Sequence, residues 1–208
     1  MFVAIAGNIG VGKSTLTQRL SERYGLEPIY EAVDDNPYLP DFYRDMPRWA
    51  FHSQLFFLAE RLRQHLRQVN PGQRIIQDRT IYEDANVFAK ALWARGTMDD
   101  RDFASYRRMY EAIASTLRPP DLLVYLKASV PTLQARIALR GRGYETEIDA
   151  AYLTSLNTLY DDFAVTFRAA RVVTIDADTL DFVAHEEDFV TLCDHLEAFG
   201  LTPPLVRS

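Results

Sequence analysis

Gly7-Asn8-Ile9-Gly10-Val11-Gly12-Lys13-Ser14-Thr15 follows directly on the apolar run Phe2-Val3-Ala4-Ile5-Ala6 and leads into a segment with helical periodicity. The pattern is G-x-x-x-x-G-K-S between a strand and a helix, an arrangement that cradles a polyphosphate. Its glycines let the backbone turn tightly, so that successive N–H groups and the positive end of the following helix converge on one anion. Lys13 is placed to reach the outer phosphates, and the Ser14 hydroxyl to ligate magnesium. Gly7 to Thr15 is therefore a nucleotide-binding loop, and its strand–loop–helix context is the first unit of an α/β fold.

The rest of the chain continues that alternation. Lys13 to Tyr24 places Leu16, Leu20 and Tyr24 on one helical face, and Glu27 to Glu31 reads as a second strand. Pro47 to Val69 has the stripe of a long helix, ending at Asn70-Pro71-Gly72. Arg74 to Asp78 reads as a third strand, Glu83 to Ala94 and Asp99 to Leu117 as helices, and Asp121 to Leu126 as a buried strand. Val130 to Leu139, Asp149 to Ala170 and Asp181 to Phe199 are predicted helices, with Arg171 to Asp176 the last strand. Such alternation predicts one domain over residues 1–208, a five-stranded parallel sheet with helices on both faces, and ligands at the carboxyl ends of the strands. Gly7, Glu31 and Asp78 fall at that rim.

Composition narrows the partners. Twenty-three Lys plus Arg against 29 Asp plus Glu give a net charge of −6, which repels a nucleic-acid backbone. The single cysteine, Cys193, offers neither an intrachain disulfide nor a cysteine zinc site. No apolar run is long enough to span a bilayer, and the start of the chain leaves no room for a signal peptide, so a cytoplasmic setting is expected.

Phosphoryl transfer needs a donor cradle, a metal, cations for the moving charge and a group that accepts the acceptor's proton. Glu31 is a candidate for that base and Asp78 for metal support, with Arg79 beside it to contact phosphate or orient the base. Arg136, Arg140 and Arg142 are interleaved with Gly141 and Gly143, which suggests a short arginine-rich lid over about 140–148 that closes on phosphates. Gln54 and Arg61, seven residues apart, share a face of the long helix. The Gln54 amide suits a base that offers a ring nitrogen beside an exocyclic amine, as adenine and cytosine do.

Together these segments resemble the deoxynucleoside kinases, in particular the bacterial deoxyadenosine and deoxyguanosine kinases, over nearly the whole chain. The resemblance is carried by the loop Gly7 to Thr15, Tyr30-Glu31 through Leu39, Phe42-Tyr43, Gln54 with Arg61, Asp78-Arg79-Thr80-Ile81-Tyr82-Glu83-Asp84, and Arg136 through Glu145. It implies a P-loop kinase fold, ATP and Mg2+ as cofactors, and a homodimer acting on a deoxynucleoside, with no nucleic-acid or membrane partner. Glu31 then resembles the base for the sugar 5′-hydroxyl, held by Arg79. Tyr43 and Glu145 resemble the grip on the 3′-hydroxyl, and Gln54, Arg61 and Asp84 the readers of the base edge. Asp78 resembles the magnesium-supporting acid, and Arg136, Arg140 and Arg142 the lid arginines on the donor phosphates.

Ala32 stands where many relatives have Pro, and Thr80 where they have Ser. The pocket residues resemble the deoxyadenosine type, whereas Lys127 to Pro131 and Asp181-Phe182-Val183 resemble the guanosine type. The pocket residues decide the expectation: 5′-phosphorylation of a purine deoxynucleoside, deoxyadenosine first. Deoxyguanosine or deoxycytidine as main substrate, a thymidylate-like monophosphate kinase and a non-catalytic scaffold relative are the alternatives.

Overall fold

The computed structural model describes residues 1–31, 36–142 and 148–203. Its centre is a parallel sheet of five strands, β1 (Phe2–Gly7), β2 (Glu27–Ile29), β3 (Ile75–Asp78), β4 (Leu122–Lys127) and β5 (Arg171–Asp176), in the order β2-β3-β1-β4-β5. Every residue of β1 is buried, and so is β4 up to Leu126, because crossover helices cover both faces of a parallel sheet. The register sets Ile5 beside Asp78 and Gly7 beside Leu126, so that the chain leaves β1 and β3 at one rim.

Helix α1 (Lys13–Tyr24) packs on β1, β2 and β3. It is followed by α2 (Leu39–Arg44) and α3 (Met46–Gln64), whose last turn widens into a π turn over His65–Val69. The helical rod after β3 has three parts: α4 (Ile81–Glu83), a π turn over Asp84–Phe88, and α5 (Ala89–Ala94). Then come α6 (Asp100–Ala114), α7 (Val130–Arg140), α8 (Ala150–Thr166) and α9 (Glu186–Ala198). Asp45 and Asp99 cap α3 and α6 by accepting from Arg48 N and Asp102 N, at 3.3 and 2.8 Å. Among the described residues no helix is long and apolar enough to cross a membrane.

Two expectations are corrected. The second strand stops at Ile29, so Glu31 lies two residues beyond it. Gln64 Nε2 on α3 takes the Tyr30 carbonyl at 3.1 Å and draws the chain off the sheet edge. Helix α2 was not expected, and Asp181 to His185 form a turn before α9 rather than its first residues. In that turn Asp181 Oδ1 accepts from Val183 N and Ala184 N, at 3.1 Å each.

Candidate functional site

The loop between β1 and α1 is shaped by what surrounds it. A Cβ on Gly7 (φ +147°) would lie 2.6 Å from the Leu126 carbonyl, and one on Gly10 (φ +82°) 2.7 Å from Ile137, so neither position accepts a side chain. Lys13 Nζ folds back to the Gly7 and Asn8 carbonyls at 2.9 and 3.0 Å, which holds the ammonium across the loop mouth. Burial and the Arg79 charge bring its pKa down to about 8, against the pull of Asp78, Glu31 and Glu83. Asn8 fastens the loop from behind, donating to Leu153 O at 2.9 Å and to Asn157 Oδ1 at 2.7 Å on α8. Ser14 Oγ donates to Asp78 Oδ2 at 2.5 Å, while Asp78 Oδ1 is buried without a hydrogen-bond partner. A hydroxyl beside a carboxylate with a spare buried oxygen fits a hard cation that takes its remaining ligands from water and phosphate.

Across the cleft, two guanidinium groups converge on one carboxylate. Glu31 Oε1 accepts from Arg61 Nη2 at 2.7 Å and from Arg79 Nη1 at 2.8 Å. Burial alone would push the Glu31 pKa up, but Arg79, Arg61 and Lys13 together outweigh it and hold the carboxyl below its usual range. Arg79 has φ +64°, a left-handed conformation that a non-glycine residue adopts only when its surroundings enforce it. Its N–H donates to Ile5 O at 3.0 Å and its guanidinium lies 4.3 Å over the Phe88 ring. Arg61 also reaches Asp84, Nε to Oδ2 at 3.3 Å. Burial pushes Asp84 up to about 6 although Arg61 opposes it.

One cleft of about 770 Å3 runs from Lys13, Ser14 and Asp78 past Glu31 and Arg79 to Tyr43, Gln54 and Asp84. Ile9, Gly10, Gly12, Thr15, Arg136, Arg140 and Arg142 border its donor end. One end can thus take a polyphosphate and the other an uncharged polar ring system, with a carboxylate between them to accept a proton. Similarity to known proteins fits that division. The model of the deoxynucleoside kinases matches residues 3–199. The chain belongs to the deoxynucleoside kinase family. It is 37% identical over 196 residues to a Bacillus subtilis deoxyadenosine/deoxycytidine kinase, covering 93% of this chain and 90% of the relative. A deoxyguanosine kinase of the same organism is 35% identical over 206 residues, covering 94% and 96%. A solved deoxyadenosine kinase from M. mycoides with bound dATP superposes with a TM-score of 0.83 at 30% identity, over 95% of this chain and all (100%) of that one.

One placement in this kinase differs from what the resemblance implies. Arg61 does not line the cleft; it is buried behind Glu31 and Asp84 and joins them. Arg136, which borders the donor end with Arg140 and Arg142, also donates by Nη1 to Val11 O at 3.1 Å and by Nη2 to Ala177 O at 2.9 Å, docking α7 against the loop. Glu145 lies outside the described residues. The apolar walls Leu39, Phe42, Phe57 and Phe88, and Asp181, Val183 and Ala184 at the donor end of the kinase cleft, were not assigned to the site from the sequence, although Leu39, Phe42, Asp181 and Val183 lie in segments that carry the resemblance. The walls carry no motif of their own, whereas the Thr80-x-x-Glu83 spacing was a readable capping signal.

Proposed function

We propose that this kinase transfers the γ-phosphoryl group of ATP to the 5′-hydroxyl of deoxyadenosine. The observation that carries the base preference is Gln54, buried on α3 and lining the cleft with its Oε1 lacking a hydrogen-bond partner. An amide offers a donor beside an acceptor, which suits N7 and the N6 amine of adenine, where guanine presents the two acceptors N7 and O6; N3 and the N4 amine of cytosine form the same pair on a smaller ring. The names of the most similar relatives divide between adenosine and guanosine types, so the pocket is the discriminating feature.

Glu31, ionised at neutral pH, takes the proton from the 5′-hydroxyl, and Arg79 fixes its orientation. The loop and Lys13 hold the donor phosphates; Arg140 and Arg142 add positive charge at the rim, where bidentate contacts to a transferring phosphoryl group are favourable. Magnesium, when bound, neutralises charge on the donor phosphates, and Ser14 with Asp78 are the residues to hold it. Tyr43 and Glu145 complete the site at the sugar 3′-hydroxyl. A single domain, a homodimer to which the exposed Leu66 and Met109 offer apolar contacts, and a cytoplasmic setting belong to the same reading.

With the four natural deoxynucleosides present together and ATP in excess, deoxyadenosine is consumed first and deoxyadenosine monophosphate is not an acceptor. Faster consumption of deoxyguanosine would overturn the base assignment, and faster turnover of the monophosphate would overturn the nucleoside as acceptor. The pH dependence gives a separate check. As pH falls through about 6, Asp84 takes up a proton and no longer holds Arg61 by charge. The KM for deoxyadenosine therefore rises below that pH in the wild type and stays flat in Asp84→Asn. A wild-type KM that is level down to pH 5 contradicts a base-facing role for Asp84.

A further inference from the structure

Glu83 is fully buried and does not line the cleft, and among the described residues no cation lies within ion-pairing distance of it. A buried carboxylate is costly to hold charged, so its four hydrogen bonds deserve an explanation. Oε2 accepts from Thr80 N at 2.9 Å, its half of the reciprocal cap that starts α4, and from Thr80 Oγ1 at 3.3 Å. Glutamine would serve that cap equally well. Oε1 faces the other way, accepting from Tyr160 OH at 2.9 Å and, more weakly, from Gly7 N at 3.4 Å. Only a carboxylate accepts at both ends at once.

The two ends touch the two halves of the reaction. Gly7 is the hinge from β1 into the phosphate loop. Thr80 immediately follows Arg79, whose left-handed backbone must be held and whose guanidinium orients Glu31. Tyr160 and Asn157, three apart on one face of α8, fasten the same stretch of loop, Asn157 through Asn8. Asn157 is itself anchored to Ala128 O at 2.9 Å, and Tyr160 is stacked on Tyr125 with ring centroids 5.8 Å apart. One buried side chain thus touches both the start of the donor loop and the turn that carries Arg79.

We infer that Glu83 is a positioning residue for phosphoryl transfer, bracing the donor loop at Gly7 against the Arg79–Thr80 turn, with Tyr160 holding the brace to α8. The inference rests on the phosphoryl-transfer reading of the cleft. In Glu83→Gln an NH2 group must face either Thr80 N–H or Gly7 N–H, so one half of the brace opens while side-chain volume is kept. Misplacement of reacting groups by about 1 Å is enough to cost about 100-fold in rate.

Steady-state kinetics of Glu83→Gln and Tyr160→Phe, normalised to folded protein by circular dichroism and run well below each melting temperature, test this. The expected result is a fall in kcat of about 10- to 100-fold for Glu83→Gln, with KM for ATP and for the deoxynucleoside within threefold of wild type. Tyr160→Phe, which keeps the ring and its stacking, should lose kcat by a smaller factor in the same pattern. A kcat within twofold of wild type in both variants, or a loss confined to KM or to melting temperature, overturns the inference. Should Glu83→Gln not fold, Tyr160→Phe decides it alone, an unchanged kcat counting against the brace. A wild-type protein that phosphorylates no deoxynucleoside overturns the reading of the cleft instead, and the inference with it.

Discussion

Glu31→Gln is expected to lower kcat by about 1000-fold, inside the range of about 100- to 10,000-fold that a positioned general base contributes. Affinity for a non-hydrolysable ATP analogue, read by calorimetry, should stay within threefold. The side-chain oxygen of glutamine can still accept from one of the two guanidinium groups that meet at Glu31 Oε1, so the cleft keeps its shape. What disappears, on the proposed role of Glu31, is the site for the 5′-hydroxyl proton. The two arginines depress the carboxyl pKa, which makes Glu31 a weaker base but keeps it ionised at working pH. That compromise suits a reaction in which the moving phosphoryl group carries most of the charge and the proton leaves late. Because the interaction is made in the transition state, kcat and kcat/KM should fall together. A variant retaining more than one-tenth of wild-type turnover would remove Glu31 from the role of base.

Legibility in the sequence followed the range of the interactions. The phosphate loop is local: nine consecutive residues carry the turn, the ammonium and the hydroxyl, and six of them, Ile9, Gly10 and Gly12 to Thr15, line the cleft. Leu122 to Leu126 announced itself because a strand covered on both faces is a continuous apolar run. Strand β2 blurred for the opposite reason. It is a three-residue edge strand with Glu27 and Pro28 exposed, and it ends where a side chain from α3 captures Tyr30. The π turn over Asp84–Phe88 shifts the side-chain period inside what reads as one helix, and brings both Asp84 and Phe88 to the cleft. Spacing placed Gln54 and Arg61 on one face but could not show that Arg61 turns inward to two acids from other segments, at positions 31 and 84. Glu83 was half legible: its cap to Thr80 is three residues away, its partner Tyr160 is 77.

Arg61→Met should be the most destabilising single change at the site, and the deficit should depend on pH. Arg61 is only 2% exposed, and its guanidinium lies between Glu31 and Asp84. Methionine fills much of the same volume but leaves two buried carboxyls without their shared cation, a loss of about 3–5 kcal/mol for a broken buried pair. For a chain of this size that corresponds to a fall in Tm of about 10 °C. Glu31 keeps Arg79, so Asp84 is the group left most exposed to the loss. Without the guanidinium, burial raises the Asp84 pKa further above its unfolded value and Glu31 loses part of the charge that depresses its own, so the folded variant binds more protons than the unfolded chain over the range between the unfolded and folded pKa of Asp84. Stability of the variant must then fall as pH rises through that window. The gap to wild type is therefore widest above pH 7 and narrows toward pH 5, as thermal melts across that range will show. Adding Asp84→Asn removes the unpaired charge and should restore at least half of the lost melting temperature at pH 8. A deficit that is the same at pH 5 and pH 8, and that the second substitution leaves untouched, means Arg61 contributes packing rather than charge, and the link between the proton acceptor and the base-facing acid is then not electrostatic.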